Sequence, residues 1–234
     1  MGLRWGPKWS TAWFKLAGTV PKTMKGERVV LRFSSGTEAQ LWVHENDALV
    51  PRQGFDINRD AALLFDAAKG GEKVSLLVEA ACNHPFGIST FEWDDVEVHH
   101  RWKSDEPGRL ERAELAVQRP QVWSLRQAYA FALGLMKELP FDSNRGQELF
   151  AAIRFATNSI VDSDIPGTAP RALEVLSAAL RSRAGGSTTL CHAVGHAHID
   201  TAWLWPLRET KRKCVRSFSN VLRVMERYPD FYFL

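Results

Sequence analysis

Between residues 11 and 98, apolar and polar positions alternate in short runs that stop at turn residues. The run 11–20 ends at Pro21, 28–33 at Ser34-Ser35-Gly36 and 40–43 at Glu45-Asn46-Asp47, while 74–80 follows Lys69-Gly70-Gly71. Period-two runs at this spacing predict an antiparallel β-sandwich. Its aromatics Trp13, Phe14, Phe33, Trp42 and Phe55 are expected to fill the core, with stacking on sugar rings as the competing use. After Pro120 the period becomes helical. Trp123, Gln127, Phe131 and Met136, with Val122, Leu125, Tyr129 and Leu133 alongside, predict a strongly apolar helix ending near Pro140. Residues 144–161, striped by Leu149, Ile153, Ala156 and Ile160, predict a second helix, and 169–183 a third. These stripes read as core rather than as a cofactor box.

Near the carboxyl end, the apolar run 190–194 reads as a buried strand. Cys214, Phe218, Val221 and Met225 then form one apolar face of a helix up to Tyr228-Pro229, and 231–234 reads as the next buried strand. Strand, helix and strand in that order are the first βαβ step of a mostly parallel α/β domain. The expected fold is therefore multidomain α and β: a β-sandwich over 1–105, a helical linker over 106–186, and the truncated start of an α/β, barrel-like domain over 187–234.

Composition narrows the class without naming an activity. With 234 residues, 45% hydrophobic and 24% charged, the chain is of soluble globular type. Its formal net charge of +3 is mild and its basic residues are scattered, which argues against nucleic acid as a partner. The cluster Arg208, Lys211, Arg212, Lys213 and Arg216 reads as a solvated or acid-paired helix surface. No apolar stretch approaches the ~18 residues of a membrane span, and the amino terminus lacks the apolar run of a secretion signal. Three widely spaced cysteines and no Asn-x-Ser/Thr acceptor favour a reducing, cytoplasmic setting. Homo-oligomerisation is left open.

The candidate chemistry sits in the segment from His192 to Trp203. On a strand, residues of one parity share a face, so His192, His196, His198 and Asp200 would project together. An imidazole and a carboxylate two residues apart at a strand's carboxyl end are plausible ligands for zinc. Alone, Asp200 reads more simply as a helix cap, and His196 as a packing histidine or one set behind the ligands. His196-Ala-His198 also fits the two-histidine pattern of barrel amidohydrolases. Cys82 with His84 reads as a buried thiol and a loop histidine, and adjacent His99 and His100 point to opposite faces of a strand.

The longer stretch Gly195-His196-Ala-His198-Ile-Asp200-Thr-Ala-Trp203-Leu-Trp205-Pro206, with Glu209-Thr210 and Arg212-Lys213-Cys214-Val-Arg216-Ser217 after it, resembles the opening of the catalytic domain of glycoside hydrolase family 38 α-mannosidases, in their cytosolic and vacuolar branch. Gly6-Pro-Lys-Trp9-Ser-Thr-Ala-Trp13-Phe14 and Val78-Glu79-Ala-Ala-Cys82-Asn83 are similar to the β-sandwich domain that precedes it. The resemblance implies His198 and Asp200 as ligands of a divalent ion, zinc with cobalt as the alternative, and Trp203 as part of the sugar-binding pocket. It implies retaining hydrolysis of terminal α-linked mannose from mannose-containing oligosaccharides. The family's nucleophilic Asp and further metal ligands are expected beyond residue 234. On this reading the chain holds no catalytic nucleophile, is an amino-terminal fragment, and is inactive by itself. The alternatives are a carbohydrate-binding or structural module without catalysis, and a self-sufficient interaction protein.

Overall fold

A computed structural model describes residues 2–56, 58–83, 107–182, 191–201 and 205–234. The chain divides into two compact units, Met1–Val117 with His192–Leu234, and Gln118–Cys191.

The first unit is built on two antiparallel sheets. Strands β1 (Arg4–Trp5), β2 (Thr11–Thr19), β3 (Val29–Ser34), β4 (Ala39–Glu45), β5 (Ala48–Phe55), β6 (Ala61–Phe65), β7 (Lys73–Ala81), β8 (Gly108–Arg109) and β9 (Arg112–Val117) follow in chain order. One sheet has the order β2-β7-β4-β5, the other β6-β3-β9, and β1 pairs with β8. Alternation explains the packing. In β2, Ala12, Phe14 and Leu16 turn inward; in β7, Val74, Leu76, Val78 and Ala80 do so, and they meet Leu31, Phe33, Leu41 and Phe55 in one core. The tight β4–β5 hairpin turns through Asn46 (φ 48°) and Asp47 (φ 63°), the residue types that enter the left-handed region most readily after glycine.

The four predicted strand runs are present as β2, β3, β4 and β7. Five further strands were hidden, the two-residue β1 and β8 and the longer β5, β6 and β9. Pro51-Arg52-Gln53 breaks the apolar alternation of β5, β6 is short, and β9 falls in the segment expected to be linker. Arg112–Val117 pairs with β3 along its whole length, which extends the sandwich unit to Val117 rather than 105.

The second unit packs α1 (Pro120–Glu138), α2 (Asn144–Asn158) and α3 (Ile165–Leu180). Ser143 caps α2 by accepting from the Gly146 amide at 3.0 Å, and Asp164 caps α3 by accepting from Gly167 at the same distance. The core is Leu125, Ala128 and Ala132 from α1, Leu149, Ala152 and Ala156 from α2, and Ala169, Ala172 and Leu176 from α3. The stripe expected on α1 is corrected here. Phe131 is 71% exposed, and the small residues Ala128 and Ala132 face the neighbouring helices, because close helix approach favours small side chains.

The carboxyl-terminal segment departs most from expectation. Cys191–Val194 is exposed and lies outside any strand, so the run expected as a buried strand is not one among the described residues. The strand at 231–234 is reduced to one parallel bridge, Gly195 with Phe233, closed by Gly195 N to Tyr232 O at 2.8 Å and Leu234 N to Gly195 O at 3.0 Å. Gly195 permits this approach, since a Cβ there would stand 2.5 Å from the Phe231 ring. Helix α4 (Leu207–Arg227) connects the two sides of the bridge. It begins after Pro206, so Asp200 is not its cap; Asp200 lies well ahead of the first turn. Among the described residues, no helix is long and apolar enough to cross a membrane.

Candidate functional site

Helix α4 lies on the outer face of the four-stranded sheet and buries its polar side there. Glu209, Thr210, Arg216 and Ser219 are its buried residues, whereas the apolar residues Phe218, Leu222 and Met225 are 49%, 58% and 43% exposed. Gly54 of β5 makes room: a Cβ would stand 2.9 Å from Asn220 Nδ2 and 3.0 Å from Arg216 Cβ, and the Gly54 amide donates to Asn220 Oδ1 at 2.9 Å.

The interface is a closed set of charges. Arg212 Nε donates to Glu79 Oε1 at 2.8 Å, Lys213 Nζ to Glu38 Oε2 at 2.8 Å and Arg216 Nη2 to Glu38 Oε2 at 3.0 Å. Arg216 also pairs with Glu209, whose side chain is 2% exposed. Asn83, fully buried, donates to Glu38 and to Glu209 Oε1 at 3.3 Å. Three carboxylates thus face three cations, which is what allows charge to be buried at tolerable cost. Arg212, Lys213 and Arg216 are therefore acid-paired, as one of the two readings of the basic cluster had it.

Ahead of α4, His198 and Asp200 converge. His198 Nε2 lies 3.0 Å from Asp200 Oδ1, with side chains 80% and 40% exposed. Because a carboxylate accepts, the contact is a hydrogen bond when Nε2 carries the proton, and without that proton the two atoms could face one ion together. Two ligands on a tetrahedral ion with bonds of ~2.0–2.1 Å would be roughly 3.3 Å apart, so the pair has the donor types and spacing that zinc takes. Among the described residues no group of three or more His, Cys, Asp or Glu side chains gathers, so the pair fits part of a coordination shell.

His196 points elsewhere. Its Nδ1 donates to the Leu234 carbonyl at 3.1 Å, tying the Gly195 segment to the chain's last residue, and it lines a cleft of about 320 Å³ with Asp56, Arg59 and Phe231. His192 is exposed. Trp203, His84, His99 and His100 lie outside the described residues. Burial pushes the Cys82 thiol above its ordinary value and keeps it protonated, which suits a packing role. Of the sandwich aromatics, Phe14, Phe33 and Phe55 belong to the core, but Trp13 is 51% exposed and stands 6.1 Å from Trp42, on the sheet face away from it.

The comparisons with known proteins match two separate stretches of the chain. The family described as "Alpha-mannosidase, jelly roll domain" matches residues 1–128, more than half of the 234. The chain belongs to the α-mannosidases. The "Glycosyl hydrolases family 38 N-terminal domain" matches residues 188–234, the segment holding His198, Asp200 and α4. "Alpha-mannosidase 2C1" of Homo sapiens is 34% identical over all of this chain, which spans 22% of that relative. "Alpha-mannosidase G" of Dictyostelium discoideum is 29% identical over 100% of this chain and 21% of its own length. "Alpha-mannosidase" of Saccharomyces cerevisiae is 27% identical over 98% and 22%. The α-mannosidase chain thus spans about a fifth of the length of the relatives it matches. Its β2-β7-β4-β5 and β6-β3-β9 sheets are the jelly-roll portion, and the polar face of α4 is the surface that the family 38 segment turns toward it.

Proposed function

We propose that this chain is the amino-terminal part of a metal-dependent α-mannosidase that hydrolyses terminal α-linked mannose from oligosaccharides or glycans with retention. The observation that carries the reading is the convergence of His198 and Asp200, 3.0 Å apart, inside the segment that matches family 38. In this reading the two residues hold a zinc ion, or cobalt in its place. The ion would supply an electrostatic grip on sugar hydroxyls. Trp203 lines the sugar pocket, and His196 sits behind the ligands as a tether to residue 234. Retaining cleavage needs two carboxyl groups about 5–5.5 Å apart; the nucleophilic Asp and the remaining ligands come from chain beyond 234.

The bridge between Gly195 and Phe233, with α4 between them, supports a parallel α/β, barrel-like architecture for the rest of the catalytic domain. A parallel sheet is also what the exposed apolar face of α4 would cover. Working in the cytoplasm, away from nucleic acid and membrane, completes the reading. In the complete polypeptide, His198→Ala is expected to lower kcat/KM for an aryl α-mannoside by at least a hundredfold, without loss of folded protein. Unchanged kcat/KM in that variant would refute the assignment.

A second reading rests on the Trp13–Trp42 pair. The exposed Trp13 ring beside the half-buried Trp42 is an aromatic face on which sugar rings stack, which suits a glycan-binding role for the sandwich. Loss of glycan retention in Trp13→Ala, with activity intact, would support it.

A further inference from the structure

Among the described residues, a threonine hydroxyl holds the Asp200 carbonyl. Thr210, in the first turn of α4 and 7% exposed, donates its Oγ1 proton to the Asp200 carbonyl at 3.2 Å. The same oxygen accepts from Trp205 Nε1 at 2.9 Å. Both ends of the segment 200–205 are thereby tied to one atom. The indole is itself fixed, since the Lys213 ammonium lies 4.7 Å from its ring centre.

The neighbouring residue explains why Thr210 stays in place. Glu209 is buried and bound to Arg216 and Asn83, and Asn83 in turn accepts from the Glu38 amide at 3.1 Å through Oδ1. The first turn of α4 is thus fastened to the sandwich immediately beside the hydroxyl that holds Asp200. Glu209 faces the sheet and Thr210 faces the loop.

We propose that Thr210 is a positioning residue for metal binding: its hydroxyl fixes the Asp200 backbone so that the carboxylate meets His198, and the sandwich holds Thr210 through Glu209. The inference rests on the metal reading given under Proposed function. It gives the sandwich a task in the chemistry, since Glu38 and Asn83 support the ligand loop across the domain boundary. Groups that orient a ligand from behind typically change metal affinity by about 10–100-fold when removed.

Zinc titration of the metal-stripped complete polypeptide carrying 13C-labelled histidine tests this, with the His198 ring signal as readout. Thr210→Val keeps the shape and removes the hydroxyl; it is expected to need at least tenfold more zinc for the same shift, at an unfolding midpoint within a few degrees of wild type. Thr210→Ser, which restores the hydroxyl, is expected to titrate within about threefold of wild type. If Thr210→Val titrates like wild type while zinc still shifts His198, the positioning role is overturned and the metal reading stands. If Thr210→Ser fails as badly as Thr210→Val, the hydroxyl is not the cause and the inference falls. If zinc does not move the His198 signal of the complete wild-type polypeptide, the metal reading fails and takes this inference with it.

Discussion

Helices α3 and α4 are both amphipathic and both packed, yet they bury opposite faces. In α3 the buried residues are Ala169, Ala172 and Leu176; in α4 they are Glu209, Thr210, Arg216 and Ser219. The first helix is held by removal of apolar surface from water, at about 25 cal/mol per Å². The second is held by charge matching on a sheet face that presents Glu38, Gln40 and Glu79. The two modes differ in what they specify. An apolar stripe accepts any partner of suitable shape, whereas a buried ionic set accepts only a surface that returns each charge. The polar side of α4 is therefore committed to this sheet, and its apolar side remains available to another layer.

The largest effect should come from breaking the ionic set on one side only. Arg216→Met leaves Glu209, 2% exposed, facing Asn83 and the edge of Arg212 without its closest cation. A buried charge deprived of its partner costs about 3–5 kcal/mol, which denaturant unfolding would register. Replacing both members, Glu209→Leu with Arg216→Met, should recover at least half of that loss. A double variant as damaged as the single one would mean that the network, not the pair, is the unit that matters.

The contrasting site is Leu176. It is fully buried in the helical unit, and Leu176→Ala should cost about 3 kcal/mol by lost transfer energy and a residual cavity. Unlike Arg216→Met, this loss should hardly change with added salt. A strong salt dependence at Leu176 would erase the distinction between the two modes of docking.

The same contrast explains which parts of the structure could be read in advance. The α2 stripe of Leu149, Ile153 and Ala156, continued by Ile160 past the helix end, was legible because its partners are helices with matching stripes nearby in the chain. In α4 the period was equally legible, but the buried face was not. Arg212, Lys213 and Arg216 find their carboxylates 133, 175 and 178 residues away, and nothing local distinguishes a charge that will be buried from one that will be solvated. Strand β5 escaped because Pro51, Arg52 and Gln53 carry no apolar alternation, and β9 because it pairs with β3 from a distant part of the chain. At the site, spacing alone left Asp200 as a helix cap and it was the resemblance that singled out His198 with Asp200, whose side chains the fold sets 3.0 Å apart. The support from Thr210 and Trp205 was not legible, because a single hydroxyl on a helix carries no periodic signal.

A smaller effect is expected where the two layers touch. Gly54→Ala places a methyl group about 3 Å from Asn220 and Arg216. Asn220 can turn away, but Arg216 is fixed by its ion pairs, so the helix must shift. Overpacking of this kind costs about 1–3 kcal/mol, and the Arg216→Met background should relieve part of it. A fully additive double variant would show that α4 does not rest on Gly54.

The smallest change in stability is expected on the other side of the same helix. Leu222 is 58% exposed, so Leu222→Gln in the 234-residue chain should alter the unfolding free energy by no more than about 0.5 kcal/mol. Its effect should appear in solubility instead. Phe218, Leu222 and Met225 form an apolar strip on a helix whose polar face is already occupied, and such strips bind hydrophobic dyes and one another. Leu222→Gln should reduce dye binding while leaving the melting curve in place. A loss above 1 kcal/mol would show that Leu222 is already covered in this chain, and α4 would then resemble α3 on one face while keeping its ionic contacts on the other.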